Sequence, residues 1–123
     1  MMGEIEGGVG FSAFLFSYES AGLTVHAMVA VPDAPLPISG FPVLIANHGH
    51  HPDPPRYGIT AEDKDWRPGD YYRRIPELFV ARGFIVVMPD FRGHNSSEGI
   101  EFTEGMLESS YYTEDVLNLL AGL

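Results

Sequence analysis

Three of the five histidines fall in one short run, Asn47-His48-Gly49-His50-His51-Pro52, directly after the apolar stretch Pro42 to Ala46. A loop that leaves a buried strand and carries a glycine can bring backbone N–H groups against a reacting carbonyl. Stabilising the oxyanion that forms there is commonly the largest single contribution to acyl-transfer catalysis. The backbone N–H is present in any residue but proline, so each histidine of the run keeps its donor. Two other readings stay open. His48 can be a packed or hydrogen-bonded loop histidine, with His50 and His51 exposed; or His48, His50, His51 and Asp53 can offer imidazole and carboxylate ligands to a metal. The second run with chemical content is Met88-Pro89-Asp90-Phe91-Arg92-Gly93-His94. A buried arginine needs carboxylate or carbonyl partners, and Asp90 is the carboxylate nearest to Arg92 in sequence.

Both runs follow segments that read as strands. Pro42 to Asn47 and Phe84 to Met88 are apolar without alternation, the pattern of strands buried on both faces of a mostly parallel sheet. Between them a polar, proline-rich insertion, His51 to Asp70, leads into Tyr71 to Arg82, where Ile75, Leu78, Phe79 and Arg82 follow helical spacing. Gly83 closes that helix as a left-handed cap. Pro76 is expected in its first turn, where a missing donor costs little. Strand, helix, strand in this order predicts a right-handed parallel crossover.

Upstream, Phe14, Phe16 and Tyr18 alternate within the stretch Phe11 to Tyr18, and Glu19-Ser20-Ala21-Gly22 is a hairpin turn signal. From Leu23 to Val31 the apolar Leu23, Val25, Ala27, Val29 and Val31 alternate with Thr24, His26, Met28 and Ala30, which reads as a half-buried antiparallel strand. Pro32, Pro35, Pro37 and Gly40 then forbid regular structure. Downstream, Pro89 to Met106 is irregular. A closing helix begins near Ser110, with Val116, Leu117, Leu119 and Leu120 as its apolar face and Glu114 and Asp115 favouring its N-terminal end.

These segments carry a resemblance. Pro42 to Pro52 resembles the strand and His-Gly-Gly-Pro loop of α/β-hydrolases in the prolyl oligopeptidase and dienelactone hydrolase branches, with His50 where the family usually has a second glycine. Met88 to His94 resembles the Pro-Asp-x-Arg-Gly segment after the next strand, Ala81-Arg82-Gly83-Phe84 the family's common helix exit, and Leu23 to Pro32 its opening hairpin. The likeness covers about Phe11 to Leu123.

It implies an α/β fold, the N-terminal half of an α/β-hydrolase: an antiparallel opening hairpin, then strand-helix-strand-helix, in a three-layer sandwich. The chain would be one partial domain, 1–123, ending before the strand that carries the nucleophile. The resemblance further implies that the backbone N–H of His50, with His51 as the alternative donor, lines the oxyanion hole. His48, Gly49, Asp90, Arg92 and Gly93 would brace it. The parent activity would be serine-dependent hydrolysis of an ester or peptide bond, with no cofactor and no metal. The insertion Asp53 to Asp70, with Tyr57, Trp66 and Arg67, is either a pocket wall or plain surface. The metal reading resembles the His-x-His-x-Asp-His run of the metallo-β-lactamase fold only loosely, because Pro52 stands where the Asp should be.

A nucleophile elbow requires glycines two positions before and two after its serine, where the strained turn leaves no room for side chains. Ser12, Ser20 and Ser97 each have one of the two glycines and lack the other, and Ser96 and Ser97 read as turn residues. In the family the triad follows the closing helix, so this chain alone is expected to be inactive. Its strand Phe84 to Met88 is expected to present an open edge, through which it self-associates or is complemented by a C-terminal half.

Composition narrows the classes further. With no cysteine there is no disulfide, thiolate metal site or cysteine nucleophile. A net charge of -10, from 17 Asp and Glu against 7 Lys and Arg, repels a nucleic-acid backbone. No apolar run approaches the roughly 20 residues that span a bilayer. The N-terminus is acidic where a signal peptide would be basic, so a cytoplasmic location is expected. The competing class is a non-catalytic binding or assembly module built on half the fold.

Overall fold

A computed structural model describes residues 3–49, 51–59, 71–103 and 108–123. One mixed sheet runs in the order β1-β2-β3-β5-β4, formed by β1 Gly3–Gly8, β2 Phe11–Ser20, β3 Leu23–Pro32, β4 Val43–Ile45 and β5 Ile85–Asp90. Strands β1, β2 and β3 form an antiparallel meander. Strand β5 adds antiparallel to β3, and β4 pairs parallel to β5. The helices are α1 Tyr71–Val80, between β4 and β5, and α2 Glu108–Gly122, after β5.

The β2–β3 hairpin turns on Ala21 and Gly22, with φ of 52° and 81°. Positive φ at both central residues is the geometry whose twist matches the flanking strands. Strand β1 is an addition to the expected elements. Strand β3 is buried on both faces rather than half-buried, because a helix covers each face of the sheet: Val25, Ala27 and Ala30 are all 0% exposed. Alternation of side chains along each strand sorts the core into two layers. Met28, Ala30, Val86 and Met88 pack with Val80 of α1, while Ala27 and Val87 pack with Leu119 of α2. The helices therefore cover opposite faces of the sheet.

Helix α1 ends as expected. Gly83, at φ 81°, donates its N–H to the Val80 carbonyl at 2.8 Å, and Phe84 donates to Phe79 at 3.2 Å. That paired closure is the Schellman motif. Pro76 is buried in the middle of α1 and not in its first turn. In α2 the apolar face is narrower than its leucines suggest. Leu119 is buried, whereas Leu117 and Leu120 are 60% and 52% exposed, and it is Asp115 that turns fully inward.

Strand β5 runs two residues beyond the apolar stretch, through Pro89 to Asp90. A central-strand proline is unusual, because it cannot donate to the ladder. Here Ile85 N–H donates to Pro42 and Val87 C=O accepts from Ala46, so odd positions of β5 face β4. The last recorded rung of β4 lies opposite Val87, and Pro89 falls beyond it. Its missing N–H costs no ladder bond. The edge expected to be open on Phe84 to Met88 is closed on both sides by β3 and β4; among the described residues the edge strands are β1 and, on this side, β4.

Candidate active site

Strands β4 and β5 are parallel neighbours whose following helices lie on opposite faces, so their exit loops lie side by side at the carboxyl end of the sheet. Ligands of open α/β sheets bind at that end. The two chemical runs of the sequence are those two exit loops.

The His48 ring is buried between the two loops. Its Nδ1–H donates to the Gly49 carbonyl at 2.8 Å, and its Nε2 accepts the Phe91 N–H at 3.2 Å. A carbonyl can only accept, so the proton sits on Nδ1 and Nε2 presents a lone pair. The ring packs at 4.6 Å from Phe91, 4.5 Å from His94 and 5.4 Å from Tyr57, measured between centroids. Burial first, then His94, pushes its pKa down from 6.5 to about 4. His48 is thus a packed, neutral, hydrogen-bonded histidine. Among the described residues a side chain added at Gly49 would meet nothing within 4 Å. His50, the first oxyanion candidate, lies outside the described residues, as do Trp66 and Arg67. His51 stacks its ring on Tyr57 at 4.6 Å, and its Nδ1 accepts the Asp53 N–H at 3.1 Å. Among the described residues no group of three or more His, Asp or Glu is placed to hold a metal ion.

Asp90 and Arg92 do not pair with each other, contrary to the sequence expectation. The fully buried Asp90 carboxylate accepts the Ile59 N–H at 3.0 and 3.2 Å and the Asn95 side-chain amide at 2.8 Å. Asn95 also donates its backbone N–H to the Pro54 carbonyl at 3.1 Å. Together with the His48 to Phe91 bond, these ties sew the 48–59 segment onto the turn after β5. Gly58 lies so close under Asn95 and Asp90 that no side chain fits.

Arg92 turns the other way. Its guanidinium and backbone N–H bind Asp115 of α2 at 2.7 to 3.2 Å, and Nη2 donates to Glu114 at 2.8 Å. The Phe102 and Tyr111 rings flank it at 5.6 and 5.0 Å. Burial works against its charge, but Asp115 and then Glu114 outweigh that and raise its pKa. Gly93, at φ 74°, is required: a Cβ there would strike Thr103 and Ile100.

Three contributors were not singled out from the sequence. Asn95 occupies the left-handed region at φ 51°; its place in Gly93-His94-Asn95-Ser96 was the available signal, since Asn tolerates that region best after glycine. Ser97 donates its hydroxyl to the Asp90 carbonyl at 2.6 Å and accepts the His26 N–H at 3.0 Å. Ser20 donates to Asp115 at 2.6 Å. Among the described residues no serine hydroxyl is recorded bonding an imidazole, and these two buried serines serve backbone and carboxylate partners instead.

The architecture is similar to that of a solved cold-adapted esterase from an Arctic intertidal metagenomic library, determined as a PEG-bound complex. The TM-score is 0.60 at 15% identity, over 97% of this chain and 48% of that one. The chain thus has an esterase-like α/β fold and spans about half the length of that protein. No protein-family model matches the sequence, and no curated protein does. Among the described residues no helix is long and apolar enough to cross a membrane.

Proposed function

We propose that this chain is the N-terminal half of an α/β-hydrolase catalytic domain, of the branch that its His48 and Asp90 loops resemble. It contributes one wall of an oxyanion hole to a serine hydrolase. The observation that carries the reading is the clasp of the 48–59 segment against the turn after β5, at the carboxyl ends of two adjacent parallel strands. A loop held by buried partners keeps its backbone donors aimed without reorganisation during reaction, the condition for oxyanion stabilisation. In this reading the donor to the substrate carbonyl is the His50 N–H, or alternatively that of His51. His48, Asp90 and Gly93 hold the loop and turn in place, and Arg92 ties the turn to α2.

The nucleophile, its base and the second oxyanion donor come from residues outside this chain. An ester is favoured over a peptide substrate by the likeness to an esterase. The strand that carries the serine would add to the β4 edge. A fluorophosphonate probe tests the assignment: the chain alone is expected to take up no label. A C-terminal segment with a Gly-x-Ser-x-Gly elbow, added in trans or in continuous chain, is expected to be labelled at that serine and to hydrolyse a p-nitrophenyl ester. Labelling of any serine of this chain would overturn the proposal.

A further inference from the structure

His48 and His94 face each other behind the candidate oxyanion loop. Both rings are buried, at 6% and 0% exposure, with centroids 4.5 Å apart. Each Nδ1 lies against a backbone carbonyl, Gly49 for His48 and Arg92 for His94. The lone pair on His48 Nε2 is what holds the Phe91 N–H, and so what joins the start of the loop to the turn after β5. A proton taken from solvent at that nitrogen replaces an acceptor by a donor facing another donor. It also places a charge between Phe91, Tyr57 and a second imidazole.

The titratable groups facing the pair can be named from each packed element. They are His51 from the same loop, Tyr57 from the 3-10 turn Pro54–Arg56 and its exit, and Tyr112 from α2, which lies 5.6 Å from His94. Among the described residues the groups acting on His48 are His94, His51 and the Gly49 carbonyl, and none is a carboxylate. Asp90 is turned to Ile59 and Asn95, and Arg92 to α2. Among the described residues the Gly49 carbonyl is the one group acting on His48 that favours a positive charge, and burial and the two other imidazoles outweigh it.

We propose that His48 and His94 form an acid-operated clasp, in which proton uptake at His48 Nε2 expels the Phe91 amide and frees the 48–51 segment from the turn after β5. The far part of the loop stays attached, because the Ile59 to Asp90 and Asn95 to Pro54 bonds do not involve either imidazole. The depressed pKa of His48 is consistent with a clasp that is closed at neutral pH. The clasp itself rests on this geometry; its consequence, loss of oxyanion stabilisation as the pH falls toward 4, rests on the function proposed above.

Amide hydrogen exchange on the intact chain, corrected for intrinsic rates, reads the clasp directly. Between pH 6.5 and 4.5 the Phe91 amide is expected to lose protection by up to tenfold per pH unit. The Ile59 amide and the β2–β3 ladder should hold theirs. In His48→Gln, whose side-chain oxygen can accept from Phe91 without titrating, the Phe91 amide should be flat with pH. In the wild-type chain the His48 ring-proton titration should fall well below that of an ordinary histidine and coincide with the shift of the Phe91 amide. A flat Phe91 profile in the wild type, or loss of protection in parallel with Ile59 and the ladder, overturns the clasp. Neither result depends on whether any serine is labelled, so the clasp and the hydrolase reading fail separately.

Discussion

Arg92 shows what a single side chain contributes and how little of its role is local. Its charge is 2% exposed and is neutralised by Asp115, itself 0% exposed, with Glu114 at 47% as a rim partner. Removing one member of a buried pair leaves the other charge uncompensated, a cost of about 3–5 kcal/mol. Asp115→Ala is therefore expected to lower the urea unfolding free energy by that amount. Glu114→Gln should cost under about 1 kcal/mol, as a half-exposed partner does. Equal losses for the two would show that the guanidinium is not specifically served by Asp115. The sequence marked Arg92 as a buried arginine but named the wrong carboxylate. Asp90 was the nearer in sequence, and only the folded position of α2 reveals Asp115.

His48 contributes with the opposite sign. Its folded pKa, about 4, lies below the ordinary 6.5, so the fold binds its proton less readily than the unfolded chain does. The associated stability is complete above about pH 6.5, falls as the pH drops from there, and is fully lost below about pH 4. A depression of this size corresponds to about 3 kcal/mol. Unfolding measured at pH 7.5 and pH 4.5 should show a smaller acid loss in His48→Gln than in the wild-type chain. Identical losses in both would assign the acid sensitivity to other groups.

At the scale of elements, what was legible followed from periodicity and turn chemistry. The alternation in Leu23 to Val31, the continuous run in Phe84 to Met88 and the glycine cap at Gly83 each became an element with bounds close to those expected. Strand order was not legible. Periodicity tells how many faces of a strand are buried, and a strand at the edge of a covered sheet can read like a central one. That is why Val43 to Ile45, as apolar as β5, was not recognised as the outer strand, and why β3 was underestimated as half-buried.

The hairpin turn offers a test at this scale. Ala21 is exposed and sits at φ 52°, a conformation that costs a non-glycine residue about 1–2 kcal/mol, and Asn-Gly is the pair this turn prefers. Ala21→Asn is expected to stabilise the chain by up to about 1 kcal/mol in urea unfolding. A destabilised variant would mean that the turn does not have this geometry.

For the whole molecule, the decisive feature is the β4 edge of the sheet, opposite the β1 edge, which no further strand covers among the described residues. Strand β4 pairs only with β5, and Val43 on it is 51% exposed. On the face covered by α2, Ile45 and Ile85 are only partly buried, and Leu117 and Leu120 point outward from the helix. An edge of unpaired backbone groups beside apolar side chains is a template for another strand. In the proposed hydrolase the missing half satisfies it; without that half, a second copy of the chain can.

The chain alone is thus expected to rise in mass by light scattering as its concentration increases from the micromolar range. Val43→Lys, which places a charge on the edge strand, should return it to the monomer. Leu120→Glu, on α2, should act less strongly, because it leaves the hydrogen-bonding edge intact. A wild-type chain that stays monomeric throughout would show that the β4 edge is protected. An association that Leu120→Glu abolishes and Val43→Lys spares would move the contact from the sheet edge to the helix. Either outcome would remove the β4 edge as the place where a catalytic half docks, while leaving the clasp between the two loops untouched.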